Sequence, residues 1–140
     1  MKVIFAVDDS KYSDYALESV SSRPWPTGTQ FRLLSVLELS RQSEEIHEKL
    51  VAGVKQLLKT KADMLTTLHP GSQVDTRIMQ GSCKEAILQE AGDWGADHIV
   101  VGSHGRKGVQ KFLLGSVAEG LLGQAHCTVE IVRLKNAKSE

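Results

Sequence analysis

The sequence predicts an α/β domain in which parallel strands are linked by right-handed helical crossovers. Strand-like and helix-like segments alternate along the chain, the connections between them are short, and the first strand reads as buried on both faces. At 140 residues and 41% hydrophobic, the chain suits one packed core, so a single domain is expected.

The first strand is KVIFAVD, residues 2 to 8, an unbroken run of Val, Ile and Phe. Ser10 then caps a helix with Ala16, Leu17 and Val20 on one face, and Pro24 and Pro26 forbid its continuation. FRLLSVLE, 31 to 38, is the second strand. Ser43 opens a long helix with apolar residues at Ile46, Leu50, Val54, Leu57, Leu58, Leu65 and Leu68, closed by His69, Pro70 and Gly71. Such a helix extends on the order of 39 Å at ~1.5 Å per residue, so it should overhang the sheet, and Gly53 is the place for a bend.

QVDTRIM, 73 to 79, alternates Val74, Thr76 and Ile78 with polar neighbours, the habit of an outer strand with one wet face. Ser82 and Glu85 make the S-x-x-E capping signature of a helix carrying Ala86, Ile87 and Ala91, which ends around Gly92 to Gly95. DHIVV, 97 to 101, is the fourth strand. A helix over Ser116 to Gln124 and a fifth strand, TVEIVRL at 128 to 134, complete the domain at 1 to 135, leaving NAKSE, 136 to 140, as a frayed polar tail.

Seventeen basic residues balance seventeen acidic ones, which argues against a nucleic-acid or anionic-membrane partner. The first apolar run is five residues long and meets Asp8 and Asp9 at once, so neither a signal peptide nor a membrane span is expected there. Cys83 and Cys127 form no CxxC pair, which fits a reducing, cytoplasmic setting. A thiolate at Cys83 would be favoured by a helix start, but a small residue in a first turn explains it as well, and it receives no role. His47, His69, His98, His104 and His126 are scattered without metal-ligand spacing. Trp25 and Trp94 read as covers for the core's edges.

In sheets of this kind small molecules bind beyond the carboxyl ends of the strands, where the winding reverses. Asp8 ends the first strand and Gly102 the fourth; if those strands are neighbours, both face one crevice. The stretch GSHGRKGVQKFLLGS, 102 to 116, concentrates four of twelve glycines and three basic residues, Arg106, Lys107 and Lys111. Gly102 and Gly105 are expected to take positive φ beside a ligand, and Gly115 to allow close approach where Ser116 starts a helix. Neither a Walker A string nor G-x-G-x-x-G is present. Spacing alone leaves both a phosphate cradle and a surface turn open.

Gly102-x-x-Gly105, nine residues, then Gly115-Ser116 resembles the G-2x-G-9x-G-[ST] signature of the ATP-binding universal stress proteins. VDDSKYSDYAL, 7 to 17, is similar to that family's first strand-to-helix junction. The resemblance implies one Rossmann-like (adenine nucleotide alpha hydrolase-like) domain with a five-stranded parallel sheet in the order 3-2-1-4-5 and helices on both faces. It implies an adenine nucleotide (ATP, or AMP or ADP), with Asp8 facing either the ribose or a phosphate-bound Mg or Mn. Ala6, Val7 and Asp8 would meet it from the first strand and Val36 from the second, offering backbone groups to adenine. Val101, Gly102, His104, Gly105, Arg106, Gly115, Ser116 and Val117 would surround the phosphates; for His104 a side-chain and a backbone contact both stay open. The family usually forms homodimers through the last strand. Asp9 stands where many relatives carry glycine, and Thr128 and Glu130 replace a proline and an apolar residue on that strand.

No base stands ready to activate a water or Ser116, so at most slow hydrolysis or autophosphorylation is expected. Two functions follow: a nucleotide-dependent regulator of the stress response acting on a further protein, or a nucleotide-independent, holdase-like interaction protein.

Overall fold

The computed structural model describes residues 1–38, 43–105 and 114–134. Five strands and four helices alternate: β1 (Lys2–Ala6), α1 (Lys11–Ser21), β2 (Gln30–Leu37), α2 (Glu44–Leu68), β3 (Gln73–Gln80), α3 (Cys83–Trp94), β4 (His98–Gly102), α4 (Ser116–Gln124) and β5 (Thr128–Val132). The strands form one sheet in the order β3-β2-β1-β4-β5, every neighbouring pair parallel. The adjacency of the first and fourth strands, conditional in the sequence, is therefore met: Val3 pairs with His98 and Phe5 with Val100. The expected tail, 136–140, lies outside the described residues.

The core has two layers, one on each face of the sheet. Val3, Phe5, Phe31, Leu33 and Val100 pack with Ala16, Leu17 and Val20 of α1 and with Leu58 and Leu65 of α2. On the other face Ile4, Leu34, Ile99 and Val101 meet Ile87 and Ala91 of α3 and Ala118 and Leu121 of α4. Adjacent residues of β1 enter opposite layers, which is why its sequence carries no polar alternation. Trp25 closes the first layer against Phe31, and Trp94 the second.

Several expectations need correction. Only Leu58 and Leu65 of α2 are fully buried; Ile46, Leu50 and Leu68 are 50%, 40% and 46% exposed. The exposed ones lie in the first two turns and the last turn of the helix, so its apolar period extends beyond the stretch packed on the core. Ser10 and Ser43 cap their helices, accepting from the amides of Ser13 and Ile46, but Ser82 makes no side-chain cap to α3. Gly115, not Ser116, is the N-cap of α4. β1 also stops at Ala6: the Val7 amide still reaches the Leu34 carbonyl, yet the Asp8 amide turns to the Ser13 hydroxyl at 3.0 Å.

A charged cluster with one fully buried member lies beneath α3. Glu90, 3% exposed, pairs with Arg32 of β2 and with Arg77 of β3. Arg32 also grips Asp75 through two bonds of 2.8 and 2.9 Å and stacks 4.2 Å from the centre of the Trp94 ring. Composition gives no hint of this network; it arises because β2, β3 and α3 bring residues 32, 75, 77 and 90 to one place.

Candidate functional site

The winding of the sheet reverses between β1 and β4, so the crevice lies beyond their carboxyl ends. Ladder alternation determines which backbone groups border it. The Gln30 amide bonds to the Met1 carbonyl and the Val7 amide to that of Leu34, so even-numbered residues of β2 turn their N–H and C=O groups toward β1. In β4 the Ser103 amide reaches Val132 of β5, so Gly102, the next residue back, turns toward β1 instead. Since β1 ends at Ala6, the backbone of Val36 on one side and of Gly102 on the other faces the space above its terminus.

Asp8 sits at that terminus. Its Oδ1 accepts from the Ser10 amide at 2.8 Å, which fixes the turn into α1. Its Oδ2 lies 3.6 Å from the point where a Gly105 methyl would stand, and it has no hydrogen-bond partner among the described residues. Strand 1 and the glycine loop thus meet at a carboxylate with one oxygen available.

The glycines play different parts from those expected. Neither Gly102, Gly105 nor Gly115 has positive φ, although Gly28, Gly71, Gly81 and Gly95 do. A methyl on Gly102 would lie 2.8 Å from the Tyr12 carbonyl oxygen and 2.9 Å from its carbon, so this position is glycine because the first turn of α1 rests on it. A methyl on Gly115 would come within 3.2 Å of the Ser103 carbonyl oxygen and 3.3 Å of His104 Cα. The Gly115 amide bonds that same carbonyl at 2.8 Å, closing the loop at its neck. Arg106, with Lys107 and Lys111, lies outside the described residues.

α4 starts at Ser116, with Val117 next, and directs its first amides to the crevice side of the sheet, as a helix following β4 must. The His104 ring lies 5.1 Å from that of Tyr12; Nδ1 contacts the Ser103 hydroxyl at 3.1 Å, while Nε2 is buried without a partner among the described residues.

Beside the polar rim is an apolar wall. Ala6, Val36, Met79, Cys83, Leu114 and Val117 are all half-buried against the layer beneath α3 and α4, at the carboxyl ends of their strands or the starts of their helices. Val101 is buried below them, and Val7 belongs to the other layer. Sequence reasoning named Ala6, Val36, Val101 and Val117 but missed Tyr12, Met79 and Leu114. The signal for Met79 was its place at the end of a strand; nothing local marks Tyr12.

The helix start does not hold Cys83 as a thiolate. Burial pushes its thiol up to about 11, and the nearby carboxylates Asp8 and Glu38 add to the effect. The crevice floor therefore carries a neutral thiol and a negative rim, and among the described residues no group of three or more His, Cys, Asp or Glu is placed to hold a metal ion.

Fold and crevice define a doubly wound α/β protein whose site sits at the switch point. The universal stress protein family model matches residues 1–133, and the chain belongs to that family. A stretch of 60 residues is 49% identical to universal stress protein A homolog 2 of Coxiella burnetii, spanning 43% of this chain and 40% of that one. Universal stress protein MJ0577 of Methanocaldococcus jannaschii is 32% identical over 107 residues, 75% of this chain and 66% of its own length. The solved structure of MJ0577 superposes with a TM-score of 0.87 at 28% identity, covering 97% of both chains. A family protein of Arabidopsis thaliana, solved with AMP bound, shares the fold at a TM-score of 0.70 and 21% identity, over all of this chain and 95% of that one. No helix among the described residues is long and apolar enough to cross a membrane.

Proposed function

We propose that the chain is a regulatory adenine-nucleotide-binding protein that takes ATP with a divalent cation, or AMP or ADP, in the crevice above β1. The observation that carries the reading is the convergence, over one strand terminus, of the outward-facing backbone of Val36 and Gly102, the Asp8 carboxylate beside Gly105, and the N-terminus of α4 behind its Gly115 cap. The base lies on the apolar wall of Ala6, Val36 and Met79, with its polar edge toward the Val36 backbone. The phosphates lie where α4 amides and the loop backbone donate.

The donor set fits magnesium, which holds one or two carboxylates and completes its shell with water and phosphate oxygens. Asp8 would supply that carboxylate, and the cation would offset the negative rim. Turnover is slow, since the Asp8 carboxylate is shared between the Ser10 amide and the cation and is not free to act as a base. The AMP found in the Arabidopsis relative supports the ligand class. Homodimerisation through the free edge of β5 belongs to the same proposal, with binding altering the dimer's affinity for a protein partner.

Calorimetric titration of the purified protein with ATP, ADP and AMP in magnesium tests the reading, together with Gly115→Val. Valine adds an isopropyl group whose Cβ alone would lie 3.2 Å from the Ser103 carbonyl oxygen, so affinity should fall at least tenfold while helical content stays unchanged. Absence of binding to all three nucleotides, with no nucleotide released on denaturation, would favour a nucleotide-independent interaction protein instead.

A further inference from the structure

A second concave surface lies on the far side of β2 from β1. α2 and β3 enclose a groove of about 670 Å³, lined by Lys55, Leu58, Lys59 and Ala62 of the helix and by residues 74–78 of the strand. β3 is an edge strand of eight residues, without proline. The Gln73 and Gly81 amides bond to the Thr29 and Leu37 carbonyls of β2, so odd-numbered residues face β2. By alternation the N–H and C=O groups of Val74, Thr76 and Ile78 point outward along the open edge.

We propose that this edge and the lysine flank of α2 form a docking groove for an acidic segment of another protein in extended conformation, added as a sixth strand. The backbone row of β3 supplies the ladder bonds, the usual source of affinity in strand addition. Leu58, Ala62, Val74 and Ile78 line the same face between the lysines and the strand, where the methylene stems of acidic side chains lie over them. Charge selects the occupant. The only acid in the lining, Asp75, is held in two bonds by Arg32, and Arg77 is tied to the buried Glu90. Lys55 has no ion-pair partner among the described residues, and Lys59 has only Asp63, in a pair 69% exposed on both sides. The two lysines are four residues apart on α2, a rise of ~6 Å, which matches the ~6.7 Å between residues i and i+2 of a strand. Acids at alternate positions of the added strand therefore meet both.

The same charges disfavour a second copy of this chain. Antiparallel pairing of two β3 strands would place an α2 from each copy on one face of the joined sheet, with four lysines along a single seam. This surface is separate from the crevice above β1 and does not depend on what binds there.

The test uses the whole protein and two acetylated, amidated heptapeptides, one alternating Glu and Val, the other alternating Lys and Val. Backbone NMR with amide exchange reads the β3 edge. With the Glu peptide, the Val74, Thr76 and Ile78 amides should shift and become protected, and the Lys peptide should leave them unchanged. Lys55→Glu with Lys59→Glu should weaken the Glu peptide at least tenfold, and so should Thr76→Pro, which removes an outward N–H while leaving the bonds to β2 intact. Equal response to both peptides, no response at β3, or edge protection that grows with protein concentration alone would each overturn the proposal, the last in favour of self-pairing.

Discussion

Gly102→Ala separates a glycine kept for the fold from one kept for a ligand. The new methyl would stand 2.8 Å from the Tyr12 carbonyl oxygen, where ordinary contact begins at 3.4 Å, so the start of α1 must retreat by about 0.6 Å. That turn carries Ser13, whose hydroxyl accepts the Asp8 amide, and Ser10, whose amide holds Asp8 Oδ1. Overpacking against backbone of this kind costs about 2 kcal/mol. For 140 residues the entropy of unfolding is about 0.3 kcal/mol/K, so Tm should drop by about 7 °C. With a urea m-value of ~2 kcal/mol/M, the midpoint should fall by about 1 M. Urea titration followed by tryptophan fluorescence reads this directly, since Trp25 is packed edge-on to Phe31 in the layer that α1 covers. A variant as stable as the parent, yet tenfold weaker for adenine nucleotide, would refute the argument and return Gly102 to the ligand.

Two further outcomes are expected. Arg32→Met leaves the buried Glu90 carboxylate with only the half-exposed Arg77, and should cost about 3 kcal/mol; Arg32→Met with Glu90→Met should recover most of that loss, and additive costs in denaturant titrations would show that the two residues are not coupled. Alkylation of Cys83 should be slow at pH 8 and climb about tenfold per pH unit toward about 11, and Asp8→Asn should accelerate it by lowering the negative potential at the thiol; a rate that levels off near pH 9 in the parent would show that burial does not raise the thiol, and an unchanged rate in Asp8→Asn that its carboxylate does not act on it.

The strands and helices were legible because each buried stripe writes its own period. β1 has no polar alternation since both its faces are covered, and β3 alternates since it stands at the edge. Where periodicity misled, the reason is geometric: the repeat of α2 runs on through Ile46 and Leu50, beyond the stretch of helix that packs on the core. Ser82 and Glu85 had the right spacing for a capping box, but spacing does not determine a rotamer, and Lys84 lies 3.4 Å from the Glu85 carboxylate instead. The candidate site was half visible. Asp8, Val36 and Gly102 are strand-end positions that any doubly wound sheet marks. Tyr12, Met79 and Cys83 reach the crevice from three other elements, and the approach of Tyr12 to Gly102 spans 90 residues of sequence that no local pattern encodes. The expectation of positive φ at Gly102 and Gly105 failed for the same reason, because glycine serves close packing as readily as left-handed turns.

The bond from the Gly115 amide to the Ser103 carbonyl carries a thermodynamic consequence. Drawing together two chain positions twelve residues apart, as Ser103 and Gly115 are, costs about 2 kcal/mol of chain entropy. Because the neck is fastened by a backbone bond of the folded protein, that term belongs to folding and is absent from the free energy of capturing an anion. A ligand that meets the backbone at Ser103 or Gly115 finds the neck already closed. Loosening the neck, even by a change that touches no ligand atom, would transfer the closure entropy to the binding step and weaken it by up to about thirtyfold.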